Sequence, residues 1–286
     1  MGSNVLIRQV WKHNYEEEMK AIRGFLCLFP IVSFSTRVLL CPDRVPASTD
    51  WGDIDANYAT LRQMADNNKN NMVQVGLAFS SKRKEMPTCP ETWQPCVWEF
   101  NLMPVDNGGN GRDLSEEEEQ FLQKYCTGGI SGRKLRSEGI HPRLFATDLS
   151  GLCTSLTSHK IDICWVVFKG GLDFVALLSQ KVQTGLPTER EAFLRMVASY
   201  FPALYDMAAL LGLKGEGNDG TLEGLARSVL LERDGREPHG AACDSLFALH
   251  MFMMTEGLPA GWAEKKPGVL FGVTSEEEAA SALFLR

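Results

Sequence analysis

The chain has 286 residues, 44% of them apolar and 23% charged, the balance of a globular α/β-sized protein rather than a disordered or fibrous one. A formal net charge of −7 excludes a protein that coats nucleic acid through a broadly basic surface, though it leaves room for a local binding groove. No apolar run approaches the roughly 20 residues needed to span a bilayer, so no membrane partner is expected.

In chain order, residues 14–27 open with acids and carry Met19, Ile22 and Phe25 at helical spacing, which predicts an amphipathic helix with its acids near the positive end of the macrodipole. Residues 31–40 predict a strand, and 58–67 a short helix. Residues 72–79 and 96–102 are β-rich and predict two more strands, joined by a loop with three prolines. Ser115 followed by four glutamates predicts a capped helix over 115–126. Residues 161–168 predict a buried strand. Helices are then expected at 171–181, 188–200, 203–212, 221–230 and 240–257. Two short basic clusters, Lys82-Arg83-Lys84 and Arg133-Lys134-Leu135-Arg136, read as solvated loops. The fold class expected is α/β, one domain over 1–286, with a central mixed sheet flanked by helices.

The eight cysteines form no C-x-x-C pair, and Cys89 and Cys96 have no further ligands at zinc spacing. Reduced thiols are expected, in a cytoplasmic and nuclear protein. His13, His141, His159 and His250 show no metal-like spacing.

The residues that carry chemistry lie in three segments. These are Ile31-Val32-Ser33-Phe34-Ser35-Thr36-Arg37-Val38, Phe168-Lys169-Gly170-Gly171-Leu172-Asp173-Phe174, and His239-Gly240-Ala241-Ala242-Cys243-Asp244-Ser245-Leu246. The last two resemble the motifs of Asp-Glu-Asp-Asp 3′–5′ exonucleases, and more closely those of the mRNA deadenylase, the poly(A)-specific ribonuclease of the CCR–NOT complex. Further segments resemble the same family in order: Val10-Trp11 with Tyr15-Glu16-Glu17-Glu18-Met19, Asn57-Tyr58-Ala59-Thr60-Leu61, Gln74-Val75-Gly76-Leu77, Trp98-Glu99-Phe100-Asn101, Phe201-Pro202-Ala203-Leu204-Tyr205-Asp206, Leu222 with Leu225-Ala226, and Gly268-Val269-Leu270-Phe271-Gly272. The Cys89 to Cys96 loop looks most like plant members. The resemblance spans nearly the whole chain and implies an RNase H-like exonuclease fold.

In that family four carboxylates hold two divalent metals and a His acts as base. Carried over residue by residue, the third acid falls on Asp173, the base on His239 and the fourth acid on Asp244. The first acid falls on Ser35 and the second on Arg37, while Lys169 stands where the family has a His. Ser35 lacks a carboxylate's charge, and Arg37 puts a fixed cation where a metal would sit. An ion pair from Arg37 or Lys169 to Asp173 or Asp244 is therefore expected. Each acid also has a plainer reading, as a helix-stabilising charge near a helix start, and Asp206 resembles a structural acid.

No metal is expected, with Asp173 and Asp244 the ligands if one binds. The reading leans towards a pseudoenzyme: a non-catalytic subunit, adaptor or competitor in CCR–NOT-linked mRNA decay. The resemblance implies the NOT scaffold subunit and the leucine-rich-repeat deadenylase as partners, with RNA binding weak or absent. Two alternatives stand beside it. One is an active Mg²⁺- or Mn²⁺-dependent poly(A) 3′–5′ exoribonuclease with a rearranged site. The other is an RNA-binding module without cleavage.

Overall fold

The computed structural model describes residues 5–39, 53–66, 72–106, 108–126, 129–158, 163–182, 185–210, 240–255, 268–275 and 278. Their strands are β1 (Leu6–Val10), β2 (Ile31–Val38), β3 (Met72–Ser80), β4 (Cys96–Asn101), β5 (Cys164–Val167) and β6 (Ala203–Asp206). Their helices are α1 (Tyr15–Phe25), α2 (Ile54–Asp66), α3 (Glu116–Tyr125), α4 (Gly132–Glu138), α5 (Pro142–Ser158), α6 (Gly171–Lys181), α7 (Arg190–Tyr200), α8 (Met207–Leu210) and α9 (Ala241–Thr255). The strands form one mixed sheet in the order β1-β4-β3-β2-β5-β6. β3 is antiparallel to both its neighbours, whereas β1–β4, β2–β5 and β5–β6 are parallel.

Side-chain alternation along the strands divides the interior in two. One face presents Phe34, Val75, Leu77, Trp98, Phe100 and Trp165 to α1, α5, α6 and α7. The other presents Ala78, Val97 and Val166 to α9, whose Ala242, Leu246 and Leu249 pack on them. α9 comes close because β3 has a glycine beneath its first turn. A Cβ on Gly76 would stand 2.1 Å from the Ala241 carbonyl oxygen, inside van der Waals contact with backbone.

Most expected elements are present with shifted ends. Ser115 caps α3 in a capping box with Glu118, and Arg112 holds the same carboxylate at 2.6 and 2.8 Å. α2 starts at Ile54, four residues before the expected start, because Asp53 Oδ1 accepts the Ala56 N–H at 2.9 Å. The expected helix over 203–212 is wrong in its first half. Ala203–Asp206 is instead an edge strand parallel to β5, with Leu204 buried in the main core and Tyr205 directed to Phe252 of α9. Pairing with the sheet outweighs the helical propensity of a four-residue stretch. The Arg133–Arg136 cluster is not a loop but part of α4, capped by Ser131, with Leu135 buried and Lys134 Nζ 4.2 Å from the centroid of the Trp11 ring. The expected helix at 221–230 lies outside the described residues.

Behind the sheet, Arg190 of α7 is a cross-link. It donates to Asp55 of α2, to the Val273 carbonyl and, through two nitrogens at 2.8 Å, to Glu278. Arg190 pulls the Glu278 carboxyl down to about 2. Its folded value lies below the ordinary one, so this stabilisation is complete above about pH 4.5 and is lost as pH falls towards about 2. The stability difference between the native chain and Glu278→Gln, followed by acid titration with urea unfolding, should shrink across that window. Gly76→Ala should destabilise the protein by about 3 kcal/mol or more, since backbone must move to admit the methyl. Equilibrium denaturation measures it, and an unchanged midpoint would remove Gly76 as the seat of α9.

Candidate functional site

Of the expected site residues, Ser35, Arg37, Asp173 and Asp244 lie around the C-terminal end of β2, Asp173 against Thr36 and Asp244 against Arg37. β5 accompanies β2 only from Ile31 to Ser33. Beyond that point the edge of β2 is taken over by the chain that leaves β5 and turns into α6. The first turn of α6 carries Asp173, whose Oδ1 accepts the Thr36 N–H at 2.8 Å and the Thr36 hydroxyl at 2.5 Å. The carboxylate is almost wholly buried. Asp173 thus takes the place of a missing strand partner, beyond the plainer role of a charge near a helix start.

The next residue, Arg37, points to the opposite face, towards α9. Its Nη2 lies 2.8 Å from Asp244 Oδ2, and both side chains are only about a tenth exposed, 12% and 10%. Nε donates to the Tyr125 carbonyl at the C-terminus of α3 at 3.0 Å, and Nη2 also reaches the Gly240 carbonyl at 3.5 Å. The guanidinium therefore joins β2 to the end of α3 and the start of α9. Burial works against the Arg37 cation, but Asp244, and more weakly Asp173, hold it firmly protonated. Its field reaches Cys126, where it opposes the burial that pushes the thiol up to about 12. Of the two cations expected to pair with the retained acids, Arg37 forms the bridge to Asp244.

Ser35 is buried one residue before Thr36, opposite Gly76 in the β2–β3 register. Its side chain shares a sheet face with Arg37 and lies below the start of α9. Lys169 occupies the turn between β5 and α6 with φ of 52°, in the left-handed region unfavourable for a side chain. Asp206 fixes that turn: its two oxygens accept the N–H groups of Lys169, Gly170, Ala208 and Phe271 at 2.9–3.1 Å. This matches the structural role expected for it. The Lys169 ammonium lies 5.7 Å from the centroid of the Phe168 ring and 5.8 Å from that of Phe271. His239 lies outside the described residues.

One buried acid escaped the sequence reading. Glu99, at the centre of β4, accepts the Ala242 N–H of the first turn of α9 at 3.1 Å and the Gln9 amide at 2.9 Å. A carboxylate at a helix N-terminus is favourably placed. Its signal was legible: one charge inside the strand Cys96-Val97-Trp98-Glu99-Phe100-Asn101, at a position that alternation turns to the α9 face. Beside it the side-chain oxygen of Gln74, opposite Arg37, is buried without a hydrogen-bond donor.

Removing the guanidinium alone would take from the mostly buried Asp244 its 2.8 Å ion pair and from the Tyr125 carbonyl its Nε donor. Arg37→Met should therefore destabilise the protein by roughly 3–5 kcal/mol, and Arg37→Met with Asp244→Leu by less than the single change. Denaturant unfolding of the two variants checks this. An unchanged midpoint for Arg37→Met would mean that the cation is solvated rather than bound.

No family model matches the chain. It is 32% identical over 277 residues to the probable CCR4-associated factor 1 homolog 10 of Arabidopsis thaliana, covering 96% of this chain and 94% of that one. It is 31% identical over 251 residues to the poly(A) ribonuclease pop2 of Schizosaccharomyces pombe, covering 86% of this chain and 68% of that one. Among solved structures, the Mg²⁺- and Mn²⁺-bound form of S. pombe Pop2p superposes with a TM-score of 0.68 at 28% identity, over 93% of this chain and 99% of that one. Yeast CAF1 co-crystallised with the NOT1 MIF4G domain gives 0.66 at 22% identity, over 93% and 96%, a likeness of fold. The six-stranded mixed sheet with helices on both faces is accordingly the Pop2-type, RNase H-like exonuclease fold. With such identity along almost the whole of its plant relative, the chain belongs to the CCR4-associated factor 1/Pop2 family of deadenylase-type proteins.

Proposed function

We propose that this protein is a catalytically degenerate deadenylase, organised as one domain over 1–286, that acts as a non-catalytic subunit, adaptor or competitor in CCR–NOT-linked mRNA decay. The observation that carries the reading is the Arg37–Asp244 ion pair at 2.8 Å. A two-metal site needs carboxylates whose mutual repulsion the ions relieve. Here a side chain relieves it. One retained acid is bound by a guanidinium, the other accepts from Thr36, and Ser35 brings no charge. Among the described residues no three His, Cys, Asp or Glu side chains are grouped to hold an ion. The described donors, with Asp244 held by Arg37 and Asp173 by Thr36, do not fit the Mg²⁺ and Mn²⁺ named for the Pop2 relative's structure, so no catalytic step runs through such ions.

The partner reading rests on the family. Yeast CAF1 binds the NOT1 MIF4G domain, and a chain of the same fold without turnover would occupy that scaffold position and dampen decay. Contact with the leucine-rich-repeat deadenylase follows from the same resemblance. RNA binding is expected to be weak, in keeping with the net charge of −7.

The test has two arms. Purified protein with labelled poly(A) RNA and Mg²⁺ or Mn²⁺ should leave the RNA intact, since loss of even one charge-stabilising group costs about 100- to 1,000-fold in turnover. Robust shortening that Asp173→Ala abolishes would overturn the reading in favour of the active enzyme. In the second arm, Ser35→Asp with Arg37→Glu should gain divalent-ion binding by calorimetry, and adding Lys169→His should move it towards activity. A folded double variant that binds no ion would show that the site has diverged beyond those positions. Pulldown with the NOT1 MIF4G domain separates the adaptor from an RNA-binding module, which would retain poly(A) and not the scaffold.

A further inference from the structure

Away from the site, at the opposite end of β4, two buried thiols share a cation. Cys89 and Cys96 lie on the two arms of a short antiparallel ribbon in which Thr88 faces Pro95. The Cys96 N–H donates to the Pro87 carbonyl and the Cys89 N–H to the Gln94 carbonyl, both at 2.9 Å. This pattern makes Thr88–Pro95 the non-hydrogen-bonded pair and sets both cysteines on the other side of the ribbon, at diagonal positions. Such positions lie about 7–8 Å apart, just beyond the roughly 4.4–6.8 Å that a disulfide spans between Cα atoms. The turn between the arms closes on Trp93, whose φ of 57° is left-handed and whose side chain is 79% exposed. A small inward movement of this turn would bring the sulfurs together.

The surroundings of the sulfurs are polar. Arg8 of β1 directs Nη1 to Cys89 Sγ at 3.6 Å. Its main partner is Glu18, which accepts from Nη2 and Nε at 2.7 and 3.0 Å, and the cation acts more weakly on both thiols. The Cys89 thiol donates to Glu91 Oε2 at 2.7 Å, and Glu91, Thr92 and Trp93 are exposed. Cys96, equally buried, donates to the Pro87 carbonyl at 3.4 Å, and burial pushes its thiol up to about 11. The two cysteines differ in their partners: Cys89 lies under the exposed turn with Arg8 and the Glu91 carboxylate beside it, whereas Cys96 faces a backbone carbonyl.

We propose that Cys89 and Cys96 are a redox pair that a hydroperoxide oxidises to an intramolecular disulfide, with Cys89 reacting first and Cys96 resolving. The Cys89 thiol loses its proton to solvent, and the sulfur, beside Arg8, attacks the peroxide. An S–O bond forms, the O–O bond breaks, and one equivalent of water or alcohol leaves, giving a sulfenic acid. The Cys96 sulfur then displaces the sulfenic oxygen as water, losing its own proton as the S–S bond forms. Two thiols lose two electrons and one hydroperoxide gains them.

The test uses the full chain treated with hydrogen peroxide. The peptide containing both cysteines should lose about 2 Da and regain it with a dithiol reductant, as expected for one disulfide. In Cys96→Ser a sulfenic-acid trap such as dimedone should label Cys89. In Cys89→Ser, Cys96 should remain unlabelled. Glu91→Gln, which removes a negative charge 2.7 Å from the Cys89 sulfur, should speed the reaction by up to about tenfold near neutral pH, an order-of-magnitude expectation for thiolate-controlled chemistry. Closure of the turn should also change Trp93 emission, seen as the difference from Trp93→Phe. Absence of the 2 Da loss, labelling of Cys96 ahead of Cys89, or crosslinks mainly to other cysteines would each overturn the proposal.

Discussion

A guanidinium held out of water at the end of β2 is the constraint around which the described structure is arranged. Arg37 lies where three elements meet, and each supplies what a buried cation requires: the carboxylate of Asp244, the last carbonyl of α3 and the carbonyl that precedes α9. Charge neutralisation and helix termination are served by the same side chain. The adjacent Thr36 faces the other way and is held by Asp173 from α6. Two consecutive residues of one strand therefore fasten helices on both faces of the sheet.

The rest of the site follows from backbone groups left without strand partners. β5 ends early, so Asp173 completes the edge of β2. The tight turn out of β5 exposes N–H groups, and Asp206 collects them with those of Ala208 and Phe271. Glu99 does the same for the first turn of α9. Three buried acids thus act as acceptors for backbone N–H groups.

Much of this was legible in the sequence because the signals were local. Ser115 followed by glutamates announced α3, the alternation in residues 72–79 announced β3, and the motif segments set Asp244 opposite Arg37. What escaped was decided by distant partners. Nothing near Ala203–Asp206 distinguishes an edge strand from a helix until β5 is beside it. Asp53 capped α2 from outside the apolar pattern used to find the helix. The partners of Glu99, Gln9 and Ala242, are 90 and 143 residues away, so its bonds could not be read from the strand itself. The ring neighbours of the Lys169 ammonium, Phe168 and Phe271, were not foreseen, because the 268–272 segment is about a hundred residues away.

The partners of Arg37 also bear on how the chain reaches this state. Tyr125 is 88 residues away and Gly240 is 203 residues away along the sequence. During synthesis β2 leaves the ribosome long before either is available, and until then the guanidinium keeps its hydration. The loop that α9 must close is long, so the entropic charge for closing it falls late. Among the described residues α9 packs over β2, β3, β4 and β5, and until it docks Ala78, Val97 and Val166 lack its cover. The emerging chain therefore passes through a stage with an uncovered apolar face, in which chaperone capture competes with completion of the fold.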